Sequence, residues 1–230
     1  MAAVNSSSYF LVTGGAGDIG SAVCKLLPTI GMIPVVGFNT NAERAHALAA
    51  ELGGFAVKID MNSEESIAAA IQAIDLELGE ESLLMGVVLG ASPAPDLLQF
   101  ANLRSEHLLN QFQVNVVGSQ QLLSGLIKKF FRKTKTGTVV GILTRATGSE
   151  TQAPAKGMGA YIIAKAALKS MLSVCAVEYP WLRVKTVSPG FTETKMLDVF
   201  DPRYLEVART TTRFSSPEEV ARSIIHEIRP

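Results

Sequence analysis

Short apolar segments of strand length alternate along this chain with longer segments in which apolar residues recur at helical spacing. The short segments are almost continuously apolar, which is typical of strands buried on both faces of a parallel sheet. Six such strands are predicted, over residues 9–13, 33–38, 55–59, 83–89, 138–144 and 182–188. The predicted helices cover residues 18–30, 42–52, 63–78, 104–132, 159–179 and 217–228, the last with Ser216 as N-cap and Pro217 at its first position.

The regular alternation of strand and helix predicts the fold class. Parallel strands joined by right-handed helical crossovers form an α/β domain with one doubly wound parallel sheet. No linker or repeat interrupts the pattern, so residues 1–230 are predicted to form a single domain. Segments 145–158 and 190–213 have the least regular pattern, and both follow predicted strands. Because ligands bind beyond the carboxyl ends of such strands, both segments are candidates for a binding site.

Composition narrows the class of protein. Hydrophobic residues make up 47% of the chain and charged residues 18%, which favours a folded core over a disordered chain. Twenty-one basic and 21 acidic residues balance, so neither nucleic acid nor an anionic membrane is an expected partner. No apolar run approaches the roughly 18 residues that span a bilayer. The three histidines lack metal-ligand spacing, and two cysteines fit a reducing compartment, so we expect a cytoplasmic protein without a metal.

The first segment with chemical meaning lies between the first predicted strand and the first helix, and reads Thr-Gly-Gly-Ala-Gly-Asp-Ile-Gly. Glycines at this place let the backbone turn tightly and approach a pyrophosphate, which then meets free N–H groups at the start of the helix. The strand–turn–helix context favours dinucleotide binding over a simple glycine-rich turn. The predicted cofactor contacts in this segment are Gly14, Gly17, Asp18, Ile19 and Gly20.

A second candidate lies on the predicted helix 159–179, where Tyr161 and Lys165 are four residues apart and therefore share one face. A nearby ammonium is expected to lower the phenol pKa from its usual value of about 10. Tyr161 could then exchange the proton of an alcohol/carbonyl pair at neutral pH. The Tyr-x-x-x-Lys pattern is common on surface helices, and its place after the fifth strand is what favours catalysis.

In their order along residues 9–228, these motifs resemble those of the short-chain dehydrogenase/reductase family. The resemblance implies a Rossmann fold, a nicotinamide dinucleotide cofactor and hydride transfer to or from a carbonyl carbon. It implies that Tyr161 and Lys165 are the catalytic pair and that Asn115 positions a water beside the lysine. The further cofactor contacts that it implies are Asp60 and Met61 after the third strand, Gly90 and Ala91 after the fourth, and Pro189, Gly190, Thr192 and Thr194 after the sixth, together with Tyr161 and Lys165 themselves.

The chain departs from the family pattern at four places. Asp18 stands where a glycine is usual, and residues 89–92 replace Asn-Asn-Ala-Gly, which removes side-chain hydrogen bonds near the adenine ribose. Thr144 takes the place of the catalytic serine at the end of the fifth strand, with Thr147 and Ser149 as rivals. The seventh strand, which commonly supports subunit association, is predicted to be missing or very short. The formation of a homo-oligomer therefore stays open.

The end of the second strand bears on which nicotinamide cofactor is used. An acid there would hold the adenosine ribose diol and repel a 2′-phosphate, but Phe38 occupies that position. Asn39, Thr40 and Asn41 can donate to a phosphate, and Arg44 lies one helical turn further on. NADP is therefore favoured, with NAD as the alternative.

The interpretation that fits best is a ketoreductase acting on a small-molecule ketone or secondary alcohol with NADP(H). Tyr161 would donate the proton, Lys165 would bond the nicotinamide ribose, Thr144 would polarise the carbonyl and Asn115 would complete a water-linked proton path. One alternative is a sugar-nucleotide epimerase or dehydratase, because glycines 14, 17 and 20 also fit the spacing of those relatives. The other is a non-catalytic nucleotide-binding regulatory protein, which the departures favour.

Segment 190–213 is expected to form a lid over the substrate, with a partly apolar wall. Arg145 either meets an anionic substrate or remains solvated in its loop. Neither the identity of the substrate nor the direction of the reaction follows from these residues. The apolar wall is expected from Met196, Leu197, Val199, Phe200 and Tyr204.

Overall fold

In a computed structural model of the chain, which describes residues 7–229, six strands form one sheet. Neighbouring strands are parallel throughout, and their order across the sheet is β3-β2-β1-β4-β5-β6. This is the order of a doubly wound Rossmann sheet, so the predicted fold class is confirmed. The strands are β1 (Ser8–Val12), β2 (Ile33–Phe38), β3 (Phe55–Lys58), β4 (Leu83–Leu89), β5 (Thr138–Ile142) and β6 (Arg183–Val187).

Helices cover both faces of this sheet, which explains why its strands are apolar at consecutive positions. In β1, Leu11 packs in the core layer on one face of the sheet, whereas the next residue, Val12, packs in the core layer on the other face. Both side chains are fully buried, as successive strand residues must be when neither face meets solvent. The helices are α1 (Asp18–Leu26), α2 (Ala42–Glu51), α3 (Glu64–Leu78), α4 (Ser105–Phe112), α5 (Ser119–Leu126), α6 (Arg132–Thr134), α7 (Gly159–Glu178), α8 (Pro202–Thr211) and α9 (Pro217–Ile228).

The single long helix predicted over residues 104–132 is a continuous helical path made of α4, α5 and α6. Two π-helical turns, Gln113–Gly118 and Ile127–Phe131, join its three parts. A π-helical turn shifts the side chains that follow it around the helix axis, and such turns are frequent at functional sites. The first of the two contains Asn115.

The prediction of an irregular segment over residues 190–213 is wrong in part, because it contains helix α8 and a 3-10 turn, Lys195–Val199. The side chain of Asp201 caps α8 by accepting a hydrogen bond from the backbone N–H of Arg203 at 2.7 Å, and Pro202 stands at the first helical position. Both are standard signals of a helix start. They stand in the sequence, but the pattern of apolar residues within the helix is weak.

At one end of the sheet, β6 pairs with β5 and has no second partner among residues 7–229. This agrees with the expectation that a seventh strand is missing or very short. That residues 1–230 form one domain stays a prediction, and residues 1–6 and 230 lie outside the described part of the chain.

By length and composition alone, one helix of the described chain, α7, could cross a membrane, with a mean hydropathy of 1.5. Its side chains Ala164, Leu168 and Leu172 are almost fully buried in the fold. Leu168 and Leu172 pack in the core layer on one face of the sheet. A core helix meets the same criterion, so this hydropathy is weak support for a membrane span.

Candidate active site

The loop between β1 and α1 brings the backbone unusually close to neighbouring chain segments. Gly14 has φ +67°, a conformation that side chains disfavour, and a Cβ there would lie 3.2 Å from the backbone of Ala91. Gly20 lies in the first turns of α1, where an added Cβ would overlap the carbonyl oxygen of Gly14. The N-terminus of α1 thus stands open above a loop that only glycine can form, as a site for a pyrophosphate requires.

A hydroxyl group holds this loop to the end of β4. Thr13, which is fully buried, accepts hydrogen bonds through Oγ1 from the N–H groups of Gly90 (2.9 Å) and Ala91 (3.1 Å) and donates to Val88 O (3.2 Å). Residues 89–92 lack the asparagines of the family pattern. The bonds from Thr13 compensate, because they satisfy two backbone donors of this segment. The expected loss of local stabilisation is therefore offset.

Together these loops border a cleft of about 620 Å³ along the carboxyl ends of β1 to β4. Most of the predicted cofactor contacts line it. The predicted contacts that do not line it are Tyr161, Lys165, Pro189, Gly190 and Thr192. Those that line the cleft are Gly14, Gly17, Asp18, Ile19, Gly20, Asn39, Thr40, Asp60, Met61, Gly90, Ala91 and Thr194.

The floor of the cleft beyond β3 is shaped by Asp60. Its Oδ1 accepts hydrogen bonds from the backbone N–H of Asn62 at 2.9 Å and from the Asn62 side chain at 3.1 Å. Its own backbone N–H donates to Ser66 Oγ at 2.9 Å. The carboxylate therefore keeps its second oxygen, Oδ2, for a ligand in the cleft.

At the opposite wall, beyond β2, Phe38 is buried and its ring meets that of His46 edge-on at 5.5 Å, so it offers the cleft no acid. Asn39 and Thr40 are exposed and line the cleft. Arg44 stands beside them, with Nη1 3.6 Å from Asp18 Oδ1 and Nη2 donating to Ser21 Oγ at 3.3 Å. One cation and two polar side chains thus surround the place expected for the adenosine ribose.

Tyr161 and Lys165 lie on the buried face of α7. Lys165 Nζ donates to Ile142 O at 2.9 Å and lies 5.6 Å from the centre of the Tyr161 ring. Tyr161 is 7% exposed because Leu197 and Phe200 of the segment 190–213 pack around it. The structure therefore brings the predicted catalytic pair together and covers it.

The pKa values of this pair differ from the sequence-based expectation. Burial raises the pKa of Tyr161 to about 12, and hydrogen bonding with the Thr144 side chain opposes this shift by a smaller amount. Burial also lowers the pKa of Lys165 to about 7, since the ammonium has lost its water without gaining an acid. The predicted lowering of the phenol pKa by the lysine is therefore wrong for the cofactor-free protein, where desolvation dominates.

Of the three hydroxyl groups considered for the serine role, that of Thr144 is the one that acts on Tyr161. Its Oγ1 accepts a hydrogen bond from Ala146 N at 3.1 Å, which leaves its own proton free for an acceptor. The hydroxyl of Thr147 instead donates to Thr144 O at 2.9 Å. Ser149 is exposed and meets Thr151 at 3.4 Å. The geometry favours Thr144.

Asn115 is fully buried, and its amide is held by the residue one turn earlier. Its Nδ2 donates to Gln111 O (3.0 Å) and to Gln111 Oε1 (3.1 Å), while Gln111 Nε2 donates to Ala94 O at 2.8 Å. The Oδ1 atom of Asn115 has no hydrogen-bond partner among residues 7–229. A buried, oriented and unsatisfied carbonyl oxygen is a place for an ordered water.

After β6, Thr192 is buried and donates through Oγ1 to Gly190 O at 3.2 Å, and Thr194 donates to Thr192 O at 3.3 Å. These bonds hold the strand-like start of segment 190–213. Arg145 is exposed, with its Cδ near Gly190, and its backbone N–H donates to Pro189 O at 2.8 Å. It lines a second, open cavity of about 570 Å³ behind Thr144.

Sequence reasoning missed two residues that organise this site, Thr13 and Gln111. A hydroxyl at the end of a buried strand was the available signal for Thr13. For Gln111 the signal was a pair of amides four residues apart, Gln111 and Asn115, on one face of a helix. Neither pattern shows which backbone groups the side chain will reach.

Comparison with known proteins agrees with the fold and shows the family. The model of the short chain dehydrogenase family matches residues 8–204, so the chain belongs to that family. It is an NAD(P)-dependent short-chain dehydrogenase/reductase, and the family uses a nicotinamide dinucleotide cofactor and small-molecule substrates.

Among the relatives is carbonyl reductase family member 4 from Xenopus tropicalis, 30% identical over 93% of this chain and 88% of that protein. Acetoacetyl-CoA reductase from Rhizobium meliloti is 27% identical over 95% of this chain and 90% of that protein. Among solved structures, 3-ketoacyl-(acyl-carrier-protein) reductase from Brucella melitensis, complexed with NADH, has the same fold. The two structures match with a TM-score of 0.86 at 20% sequence identity, and the match covers 98% of this chain and 92% of that one.

Proposed function

We propose that this protein is an NADP(H)-dependent ketoreductase in which Tyr161 donates a proton to the carbonyl oxygen of the substrate. The observation that carries the proposal is the clustering of three side chains: Lys165 Nζ lies 5.6 Å from the centre of the Tyr161 ring, Tyr161 hydrogen-bonds with Thr144, and Thr144 and Lys165 border one cavity. The glycine-built loop and the open end of α1 fit a dinucleotide. When bound, its nicotinamide ring would supply or accept the hydride.

The protonation states suit reduction. With a pKa raised to about 12, Tyr161 keeps its proton at neutral pH and can donate it as negative charge develops on the carbonyl oxygen. The free proton of the Thr144 hydroxyl can hydrogen-bond the same oxygen and stabilise that charge. The two groups therefore act together on one atom of the substrate.

Reprotonation of Tyr161 is assigned to Lys165 and Asn115. Lys165, with a pKa of about 7, can give up or take a proton near neutral pH. Its Nζ makes one bond, to Ile142 O, and so has donors left for a ribose hydroxyl and a water. The unpaired Oδ1 of Asn115 would hold that water. This path lets solvent replace the proton that Tyr161 gives to the product.

The preference for NADP(H) rests on the wall beyond β2. Phe38 offers no carboxylate to the ribose diol, and the exposed Asn39 and Thr40 can donate to a 2′-phosphate. Arg44 would supply the positive charge, although Asp18 shares it. The names of the relatives, carbonyl reductase and acetoacetyl-CoA reductase, support a ketone as substrate. The contacts of Tyr161 with Thr144 and Lys165 favour catalysis over the regulatory alternative.

Turnover with a matched pair of variants tests the chemistry. NADPH oxidation is followed with acetoacetyl-CoA and a panel of small ketones, using the wild type, Tyr161→Phe and the control Tyr179→Phe, which lies at the opposite end of α7. Loss of the proton donor should lower kcat by roughly 10²- to 10⁴-fold in Tyr161→Phe and leave the control near wild type. Undiminished turnover in Tyr161→Phe would refute the assignment.

A fluorescence titration with NADPH and with NADH tests the cofactor. We expect tighter binding of NADPH, and a reduced preference in Arg44→Gln, which removes the charge but keeps a donor. Equal affinity for both cofactors in the wild type would reject the NADP preference and leave the ketoreductase chemistry in place.

A further inference from the structure

The carboxylate of Asp18 joins the phosphate-binding loop to the lid segment, residues 190–213. Its Oδ2 accepts a hydrogen bond from the backbone N–H of Lys195 at 2.8 Å, across 177 positions of sequence. Its Oδ1 lies 3.6 Å from Arg44 Nη1. Asp18 stands where a glycine is usual in the family, so this contact is a property of this chain.

The carboxylate contacts other segments and not the start of its own helix. Asp18 is the first residue of α1, and its Oδ2 faces Lys195 while its Oδ1 faces Arg44. The negative charge is still favourable near the positive end of the helix dipole. The directional bond, however, is made to the lid.

Lys195 stands at the point where the lid begins to cover the site. It opens the 3-10 turn Lys195–Val199, and the next residues, Leu197 and Phe200, pack on Tyr161. On the near side, Thr194 and Lys195 line the cofactor cleft together with Asp18. The bond between Asp18 and Lys195 therefore spans the cleft beside the place where a pyrophosphate would meet the end of α1.

The far part of the lid has its own anchor. Phe191 stacks on Phe214 with ring centres 4.8 Å apart, and the guanidinium of Arg209 lies over Phe214 while it bonds Glu193. These contacts hold the base and the end of the segment to each other. In the described part of the chain, the hydrogen bond that ties the lid to the phosphate-binding loop is the one from Lys195 N to Asp18.

We propose that Asp18 is a positioning residue that latches the lid over the cofactor cleft, and that this bond must open each time the cofactor is exchanged. The latch depends on a dinucleotide binding in the cleft, but not on the NADP preference or the ketone substrate proposed above. A hydrogen bond to a charged acceptor is among the stronger ones in proteins, and its loss should favour the open lid by roughly tenfold.

Amide hydrogen exchange in the cofactor-free protein tests the bond directly. The Lys195 amide should exchange about tenfold faster in Asp18→Ala than in the wild type. In Asp18→Asn, which keeps an oxygen acceptor, it should exchange at an intermediate rate. Amides of α1 serve as the internal control, because a loss of helix stability would accelerate them as well. Unchanged exchange at Lys195 in Asp18→Ala would overturn the proposal, as would equal acceleration throughout α1.

A second pair of variants removes the other partner of the bond. Lys195→Pro deletes the donor, and the site accepts proline, because Thr194 is extended (φ −139°, ψ 164°) and Lys195 is the first residue of a helical turn. Lys195→Ala keeps the backbone N–H and is the matched control. Asp18→Ala and Lys195→Pro should each release NADPH several-fold faster in a stopped-flow displacement, and the double variant should release it no faster than either.

The latch would be overturned if Asp18→Ala and Lys195→Pro had additive effects on the rate of NADPH release. It would also be overturned if Lys195→Pro released NADPH at the same rate as the wild type. If the wild type bound neither NADPH nor NADH, the proposed function would fail. The exchange result at Lys195 would still report on the latch, so the two failures are distinguishable.

Discussion

The ends of β1 and β4 border the cofactor cleft largely through backbone, whereas helix α7 beyond β5 carries the buried polar side chains of the predicted catalytic pair. The first region depends on glycine geometry and on the N–H groups of Gly90 and Ala91, which Thr13 holds in place. The second depends on Tyr161 and Lys165, whose pKa values are shifted in opposite directions by burial.

Because of this difference, the two regions should be sensitive to different changes. Backbone donors do not titrate between pH 5 and 9, so the phosphate-binding region should respond to added side-chain atoms and hardly to pH. The catalytic pair should respond to pH, because a desolvated ammonium changes charge near neutrality.

The largest effect on stability is expected where a Cβ has no room. Gly20→Ala would place a methyl group on the carbonyl oxygen of Gly14, and the phosphate-binding loop would have to move. We expect a loss of about 3 kcal/mol or more in the free energy of unfolding, together with loss of cofactor binding. Denaturation in urea and a fluorescence titration measure the two effects.

Gly190→Ala is the matched control on the catalytic side, because a Cβ there meets only the flexible end of Arg145 at 3.7 Å. Its free energy of unfolding should remain within about 1 kcal/mol of the wild type. If Gly20→Ala and Gly190→Ala lowered the free energy of unfolding equally, the phosphate-binding loop would not be the region with less steric room.

A smaller effect with a distinctive pH dependence is expected at Lys165. Because burial lowers its folded pKa to about 7 from 10.5, the unfolded state binds more protons between these values, and stability should rise with pH there. The free energy of unfolding of the wild type, relative to Lys165→Met, should increase by roughly 2 kcal/mol from pH 7 to pH 9, at about 1.4 kcal/mol per unit of pH.

Cofactor-free protein is used for this comparison, and pH values above 9 are avoided because Tyr161 begins to contribute there with the opposite sign. A difference between wild type and Lys165→Met that stays constant from pH 7 to pH 9 would mean that the buried lysine keeps its ordinary pKa.

The smallest effect is expected for Thr13→Val, which keeps the shape of the side chain and removes its hydroxyl. The N–H groups of Gly90 and Ala91 would lose their acceptor, which should cost about 1 to 2 kcal/mol. Thr13→Ser keeps the acceptor and should lie close to the wild type in a thermal melt. If the valine variant melted at the same temperature as the serine variant, the link between β1 and β4 would have to depend on contacts other than those of the Thr13 hydroxyl.

Much of this arrangement could be predicted from the sequence. All six strands lie within two residues of their predicted ends, since buried parallel strands leave an uninterrupted apolar signature. The turn at Gly14 and Gly20 also followed from residue type, because few other residues can adopt its backbone. Helix α8 was missed although Asp201 and Pro202 mark its start, since the pattern of apolar residues within it is weak.

Other features depend on contacts between residues that are far apart in sequence. The choice of Thr144 over Thr147 and Ser149 depends on how the chain turns after β5, and the partners of Asn115 depend on a π-helical turn. The pKa of Tyr161 is raised because Leu197 and Phe200 cover it, a fact of packing that the Tyr-x-x-x-Lys spacing could not reveal.

The sequence by itself determined the doubly wound sheet, the glycine loop and the Tyr161–Lys165 pair, because each follows from local periodicity or from the steric limits of single residues. The tertiary structure alone decided that the pair is desolvated, that Thr13 binds the backbone of Gly90 and Ala91 and that Asp18 reaches Lys195. Burial and hydrogen bonding between distant segments arise only when the chain has folded, since they depend on which surfaces exclude water from each other.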